Sequence, residues 1–137
     1  WILVSEHIPQ MIANAVLSLT TNKYLVILLL NLVLLVVGMF METIAALIIL
    51  FIPLLTVAQG VGIDPIHFAV FAVLNLMIGL STPPVGVCLF VCANIAREPL
   101  MRVVKALIPY IVTNLIVLML VSYIPALSTW LPSLLKN

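Results

Sequence analysis

Gly79-Leu80-Ser81-Thr82-Pro83-Pro84-Val85-Gly86 interrupts an apolar run that would otherwise read as one long membrane helix. Proline has no amide hydrogen, so in any helix through this point Pro83 and Pro84 deprive the carbonyls of Gly79 and Leu80 of their usual partners. Irregular backbone at membrane depth is tolerated only where protein buries it or where it lines a polar cavity. The stretch therefore marks a candidate binding site, and it predicts that residues 65–96 form one discontinuous helix, with Pro65 to Ile78 and Val87 to Ala96 as its halves.

The composition around it is that of an integral membrane protein. Of 137 residues, 66% are hydrophobic and 7% charged, and mean hydropathy is +1.43; a soluble domain carries roughly 25% charged residues. Residues 24–59 hold one charge, Glu42, and residues 106–122 hold none. A net charge of +1 with no basic stripe excludes nucleic acid as a partner. Cys88 and Cys92 lie four apart without a neighbouring His or acid, a poor zinc site, and read as packing residues. The chain opens at Trp1 with no signal-peptide pattern and reads as the C-terminal piece of something longer. No intramembrane aspartate pair, metalloprotease motif, nucleophile elbow or P-loop is present, so enzymatic readings are poor.

Upstream, residues 5–19 place Ile8, Met11, Ile12, Ala15, Val16 and Leu19 at helical spacing, with Glu6, His7, Gln10, Asn14 and Ser18 largely opposite. This predicts an amphipathic helix in the interface plane; a short exposed connector is the other reading. Tyr24 to Gln59 as a single helix would be about 54 Å long, against a hydrocarbon core about 30 Å thick. The run must turn back or break near Val37 to Thr43. A re-entrant hairpin over 24–59 is favoured over one broken, tilted helix, because Gly38 supplies backbone freedom and Glu42 and Thr43 can cap the second arm. Each arm is then expected to hold about 14 to 17 residues, too few to span comfortably. Pro53 should kink the second arm, and Gln59 to Pro65 is a turn by composition.

Downstream, the loop 97–105 holds Arg97, Arg102 and Lys105, three of the five basic residues, and the positive-inside rule makes it cytoplasmic. Residues 106–123 form a spanning helix, kinked or begun at Pro109, with Tyr110 and Tyr123 as interface anchors. The tail from Pro125 emerges on the opposite face.

Pairs of Gly/Pro-interrupted apolar segments point to a secondary-transporter site, and this chain has two: Gly38 to Thr43 and Gly79 to Gly86. Unwound carbonyls and helix C-termini attract cations, and half-helix N-termini attract anions. Gly79, Leu80 and Ser81 offer carbonyls, Ser81 and Thr82 offer hydroxyls, and Val85 to Val87 present amides. Thr82 satisfying freed backbone, with Pro83-Pro84 as a structural kink, is the competing reading. Glu42 is either an intramembrane functional acid or a helix cap. Asn31 and Asn75 read as hydrogen-bonding glue between helices, with Asn75 the better site candidate because it precedes Gly79 by one turn. Asp64 and His67 read as capping and surface residues.

Gly38-Met39-Phe40-Met41-Glu42-Thr43, Gly62-Ile63-Asp64-Pro65-Ile66-His67-Phe68 and Asn75 through Gly86, in this order, resemble the DctM-like large membrane subunit of tripartite ATP-independent periplasmic (TRAP) transporters. The resemblance runs over nearly the whole chain. It implies an all-α integral membrane protein of the elevator-type ion-transporter superfamily, with two inverted repeats that each hold a re-entrant hairpin and a discontinuous helix. The present chain corresponds to the second. It further implies a sodium-driven importer of organic acids in a bacterial or archaeal inner membrane. Its expected partners are a periplasmic binding protein, a small membrane subunit and the first repeat, and its only expected cofactor is Na+ as coupling ion. By that resemblance, oxygens at Gly38, Gly79, Ser81, Thr82 and Gly86 hold sodium, and Met41, Glu42, Thr43, Asn75, Pro83 and Pro84 lie at the hairpin tip and substrate side. A lone second repeat lacks half of such a site and is not expected to transport by itself.

Overall fold

The computed structural model describes residues 22–135, together with Met11, Asn14, Ala15, Ser18 and Thr20. The amphipathic helix expected at 5–19 lies outside the described residues apart from these positions. Six helices follow: α1 (Lys23–Phe40), α2 (Thr43–Gly60), α3 (Pro65–Leu80), α4 (Val87–Ala96), α5 (Leu100–Tyr123) and α6 (Pro125–Leu135).

The helix boundaries follow from capping chemistry. The Asn22 side chain accepts the Tyr24 amide at the start of α1, and Asp64 Oδ1 accepts the Ile66 and His67 amides at the start of α3, with Pro65 at the first helical position where its missing amide costs nothing. Between α1 and α2 the chain leaves helical geometry only at Met41 and Glu42, both extended. Lys23 Nζ at the start of α1 donates to the Gly62 carbonyl just beyond α2, at 3.1 Å. The two arms therefore run antiparallel, a hairpin and not one broken helix. Each arm has 18 residues, longer than expected, because α1 begins at Lys23 and α2 continues through Pro53 to Gly60. At about 27 Å each, both arms are long and apolar enough to cross a membrane, as is α5.

The central element is α3, which packs against α1, α2, α5 and α6. Phe68, Phe71, Ala72 and Leu76 of α3 meet Val26, Leu30 and Leu34 of α1 and Leu50 and Leu54 of α2 in one buried cluster. Asn31 pairs with Asn75 and Gly38 abuts Gly79, so α1 and α3 run parallel. Tyr123 donates to the Tyr24 carbonyl and its ring stacks on Tyr24 at 6.2 Å, while Leu35 lines a small cavity with Leu115; α5 is thus antiparallel to α1. Both α3 and α4 pack on α5, whose C-terminal end meets the start of α3, so α4 continues in the direction of α3. From Leu35 the hairpin has five more residues to Phe40. Its tip therefore stops about 15 Å short of the Leu100 end of α5.

Two expectations about the last third are corrected. Leu100 to Lys105 are not loop but the first turns of α5, which starts at the Pro99 cap and gains an i,i+4 ion pair between Arg102 and Glu98 at 2.6 Å; Pro109 lies inside that helix. The tail is helical as well, with Pro125 its first residue. Cys88 and Cys92, expected to pack, are exposed within the described chain.

Candidate functional site

Two helix ends meet at the break. A methyl group built on Gly79 would lie 2.7 Å from the carbonyl carbon of Gly38 and 3.0 Å from the Leu35 carbonyl oxygen, and one on Gly38 would lie 2.9 Å from the Leu76 carbonyl oxygen. Only glycine permits this approach, so the last turns of α1 and α3 touch backbone to backbone, as small residues allow in membrane bundles. The interrupted segments around Gly38 to Thr43 and Gly79 to Gly86 are therefore brought together. Thr43 Oγ1 reaches Met77 Sδ at 3.9 Å across the same junction.

The carbonyls at this junction divide into partnered and free. Met41 N donates to Val37 O, and among the described residues no donor reaches the carbonyls of Gly38, Met39 or Phe40. On α3, Ile78 O receives Ser81 N at 3.1 Å, Ser81 Oγ at 2.9 Å and Thr82 Oγ1 at 2.7 Å. Gly79 O, expected to be freed by Pro83, is recovered by the Thr82 amide at 2.9 Å. The Leu80 carbonyl, opposite Pro84, has no donor among the described residues. Two helix C-termini thus lie side by side, each bearing the negative end of its helix dipole, and together they carry four carbonyls without a donor among the described residues. The Ser81 and Thr82 hydroxyls direct their hydrogens at Ile78 O and keep lone pairs to offer.

Beyond the break, α4 starts at Gly86 in the left-handed region (φ 30°) with no side-chain cap. A Cβ at Gly86 would meet the Thr82 carbonyl oxygen at 2.9 Å, so the 82–86 loop closes tightly on itself. The Gly86 carbonyl accepts the Leu89 amide at 2.7 Å. The left-handed backbone at Gly86 and the contact with α1 at Gly79 each call for glycine. The Pro83–Pro84 peptide is cis; Pro83 is half-buried and Pro84 exposed. Glu42 is the N-cap of α2, with Oε2 accepting the Ile44 and Ala45 amides at 2.9 and 3.1 Å. Thr43 is the first residue of that helix and is not its cap. Met41 is half-buried against the core.

One turn from the break lies a buried polar cluster. Asn75 Nδ2 donates to both the backbone carbonyl and Oδ1 of Asn31, each at 2.8 Å. Ser122 Oγ donates to Asn31 Oδ1 at 3.3 Å, and His67 Nε2 hydrogen-bonds Ser122 O at 2.8 Å. All four residues are buried. Asn31 and Asn75 are thus interhelical glue, as read, whereas His67 is an interior residue and not a surface one. Ser122 gave no sequence signal, since a lone serine near the end of an apolar helix is unremarkable until its partners are known. Among the described residues no group of three His, Cys, Asp or Glu side chains is placed to hold a metal ion.

Described residues that form helices and no strand, three of those helices long and apolar enough to cross a membrane, together with the paired interrupted segments define the class as an integral membrane protein. The family model described as tripartite ATP-independent periplasmic transporter, DctM component, matches residues 1–127, and the chain belongs to that family. It is 42% identical over 134 residues to the sialic acid TRAP transporter large permease protein SiaM of Vibrio cholerae, covering 98% of this chain and 31% of that protein. It is 42% identical over 136 residues to the C4-dicarboxylate TRAP transporter large permease protein DctM of the same organism, covering 99% and 30%. With the isethionate TRAP transporter permease protein DctMQ of Oleidesulfovibrio alaskensis it shares 44% identity over 126 residues, covering 92% and 20%. The chain therefore spans less than a third of the length of these curated relatives. They are transport permeases, as the resemblance of the motifs implied.

Proposed function

We propose that this chain is part of a sodium-coupled importer of organic acids, and that its share of the ion site is the junction of the hairpin tip with the helix break. The observation that carries the reading is the side-by-side meeting of the α1 and α3 C-termini with unpartnered carbonyls at Gly38, Met39, Phe40 and Leu80. Hard carbonyl and hydroxyl oxygens suit an alkali cation, and Ser81 and Thr82 add two. The uncapped start of α4 supplies amides suited to an anionic group. The relatives' names specify sialic acid, a C4-dicarboxylate and isethionate, all organic anions, and the substrate of this chain is of that class. Relative to the sodium ligand set expected from sequence, the carbonyls of Met39, Phe40 and Leu80 enter, and in this proposal Gly79 and Gly86 serve by shape.

On this reading the hairpin is re-entrant, its tip stopping short of the end of α5. The loop and first turn of α5 around Arg97 to Lys105 face the cytoplasm and the C-terminal end faces the periplasm. The site is completed by a first inverted repeat in the longer subunit; the repeats move as an elevator, a small membrane subunit accompanies the large one, and a periplasmic binding protein delivers the substrate. The transport activity belongs to that complete assembly. A purely structural role for the break is favoured by one observation, the capture of Ile78 O by both hydroxyls. Uptake by the reconstituted complete transporter separates the two. Ser81→Ala/Thr82→Ala should raise the sodium concentration needed for half-maximal uptake several-fold, whereas unchanged sodium dependence would support the structural role.

A further inference from the structure

Between helices in a bilayer, apolar burial does not specify register, because lipid tails are as apolar as leucine; shape and hydrogen bonds do. Along α3, Asn75 and Gly79 are one turn apart and share a face, and along α1, Asn31 and Gly38, seven residues apart, share another. The two faces meet each other. The glycine contact sets how closely the helices approach, but a smooth notch leaves sliding and small rotations open. The asparagine pair closes that freedom, since Asn75 Nδ2 binds the main-chain carbonyl of Asn31 as well as its side chain, and so fixes α3 against the backbone of α1. Ser122 and His67 extend the tie to α5. The cluster is costly as a device for stability, because Asn31 Nδ2 and Asn75 Oδ1 are buried without partners, and buried polar groups left unpaired weigh against folding. Specificity of arrangement is the role such groups are best known to serve.

We infer that Asn75 and Asn31 are positioning residues for transport: their two hydrogen bonds set the rotation and axial register of α3 on α1, and thereby hold the break opposite the hairpin tip. This rests on the junction being the ion site, but the register itself is measurable without sodium. Thr43 and Met77 bridge the junction at 3.9 Å, so Thr43→Cys/Met77→Cys, in the complete subunit with Cys88 and Cys92 replaced by Ala, reports the register by oxidative cross-linking.

In this background Asn75→Leu should slow cross-linking about tenfold, the effect of losing two hydrogen bonds of ordinary strength, with the protein still recovered from the membrane. The donor assignment adds a sharper signature. Asn31 contributes only acceptors, so Asn31→Asp, which keeps them, should preserve cross-linking. Asn75→Leu, which removes the donor, should lose it. Equal cross-linking in all variants, or equal loss with Asn31→Asp and Asn75→Leu, would overturn the inference. The same variants assayed for uptake should show a raised sodium requirement in step with the lost cross-linking. Lost cross-linking with unchanged sodium requirement would retain the register role and remove its link to the ion site.

Discussion

Replacing Gly79 by alanine is the most informative single perturbation of the junction. The added methyl would sit 2.7 and 2.8 Å from the Gly38 carbonyl carbon and Cα and 3.0 Å from the Leu35 carbonyl oxygen, all main-chain atoms that no rotamer change can move. Carbon atoms prefer separations of about 3.5–4.0 Å, so α3 must shift from α1 by roughly 1 Å. Overpacking of this kind costs about 1–3 kcal/mol, and the same shift stretches the 2.8 Å Asn75 hydrogen bonds. The helical preference of alanine over glycine returns about 0.5–1 kcal/mol at most. Gly38→Ala should be somewhat milder, its methyl lying 2.9 Å from the Leu76 carbonyl oxygen. Gly60→Ala, at the end of α2 with nothing within 4 Å, is the control and should be neutral or slightly stabilising. The assay is thermal inactivation of the purified complete subunit in detergent. The expected order is Gly79→Ala least stable, then Gly38→Ala, then wild type with Gly60→Ala. Gly79→Ala as stable as Gly60→Ala would refute the backbone contact.

Three further outcomes follow from the same geometry. Glu42→Ala removes the cap on two α2 amides and should cost about 1 kcal/mol in stability, measured by the same inactivation assay, whereas Glu42→Gln keeps an acceptor oxygen and should lose less. Gly86→Ala forces a side chain into positive φ and against the Thr82 carbonyl; left-handed backbone alone costs about 1–2 kcal/mol, and uptake should fall more than protein yield. His67→Leu removes the partner of the Ser122 carbonyl and should destabilise by about 1–3 kcal/mol through the unpaired acceptor, without changing the sodium requirement for uptake.

The elements that sequence made legible are those marked by local chemistry. Gly38 and Glu42 announce the hairpin turn, Asp64-Pro65 announces the start of α3, and the double proline announces the break, since each acts within a turn of its own position. Lengths were less legible. Pro53 and Pro109 were accommodated inside helices, and the tail, whose secondary structure the sequence left open, begins a further helix at Pro125. The division of labour at the site was legible only in part, because it depends on partners far along the chain. Gly79 faces Gly38 and Asn75 faces Asn31, and no periodicity encodes which apolar helices will pair. The freed Leu80 carbonyl was predictable from Pro84; the recovery of Gly79 O by Thr82 was not, as it depends on how the loop tightens after Leu80.

The central claim is that the hairpin tip and the helix break form one cation site, and thiol labelling at both tests it most directly. Met41→Cys and Val85→Cys, each in the complete subunit with Cys88 and Cys92 replaced by Ala, should be protected by sodium and not by potassium, with the same midpoint concentration at both positions. Labelling indifferent to sodium, or two clearly different midpoints, would contradict it.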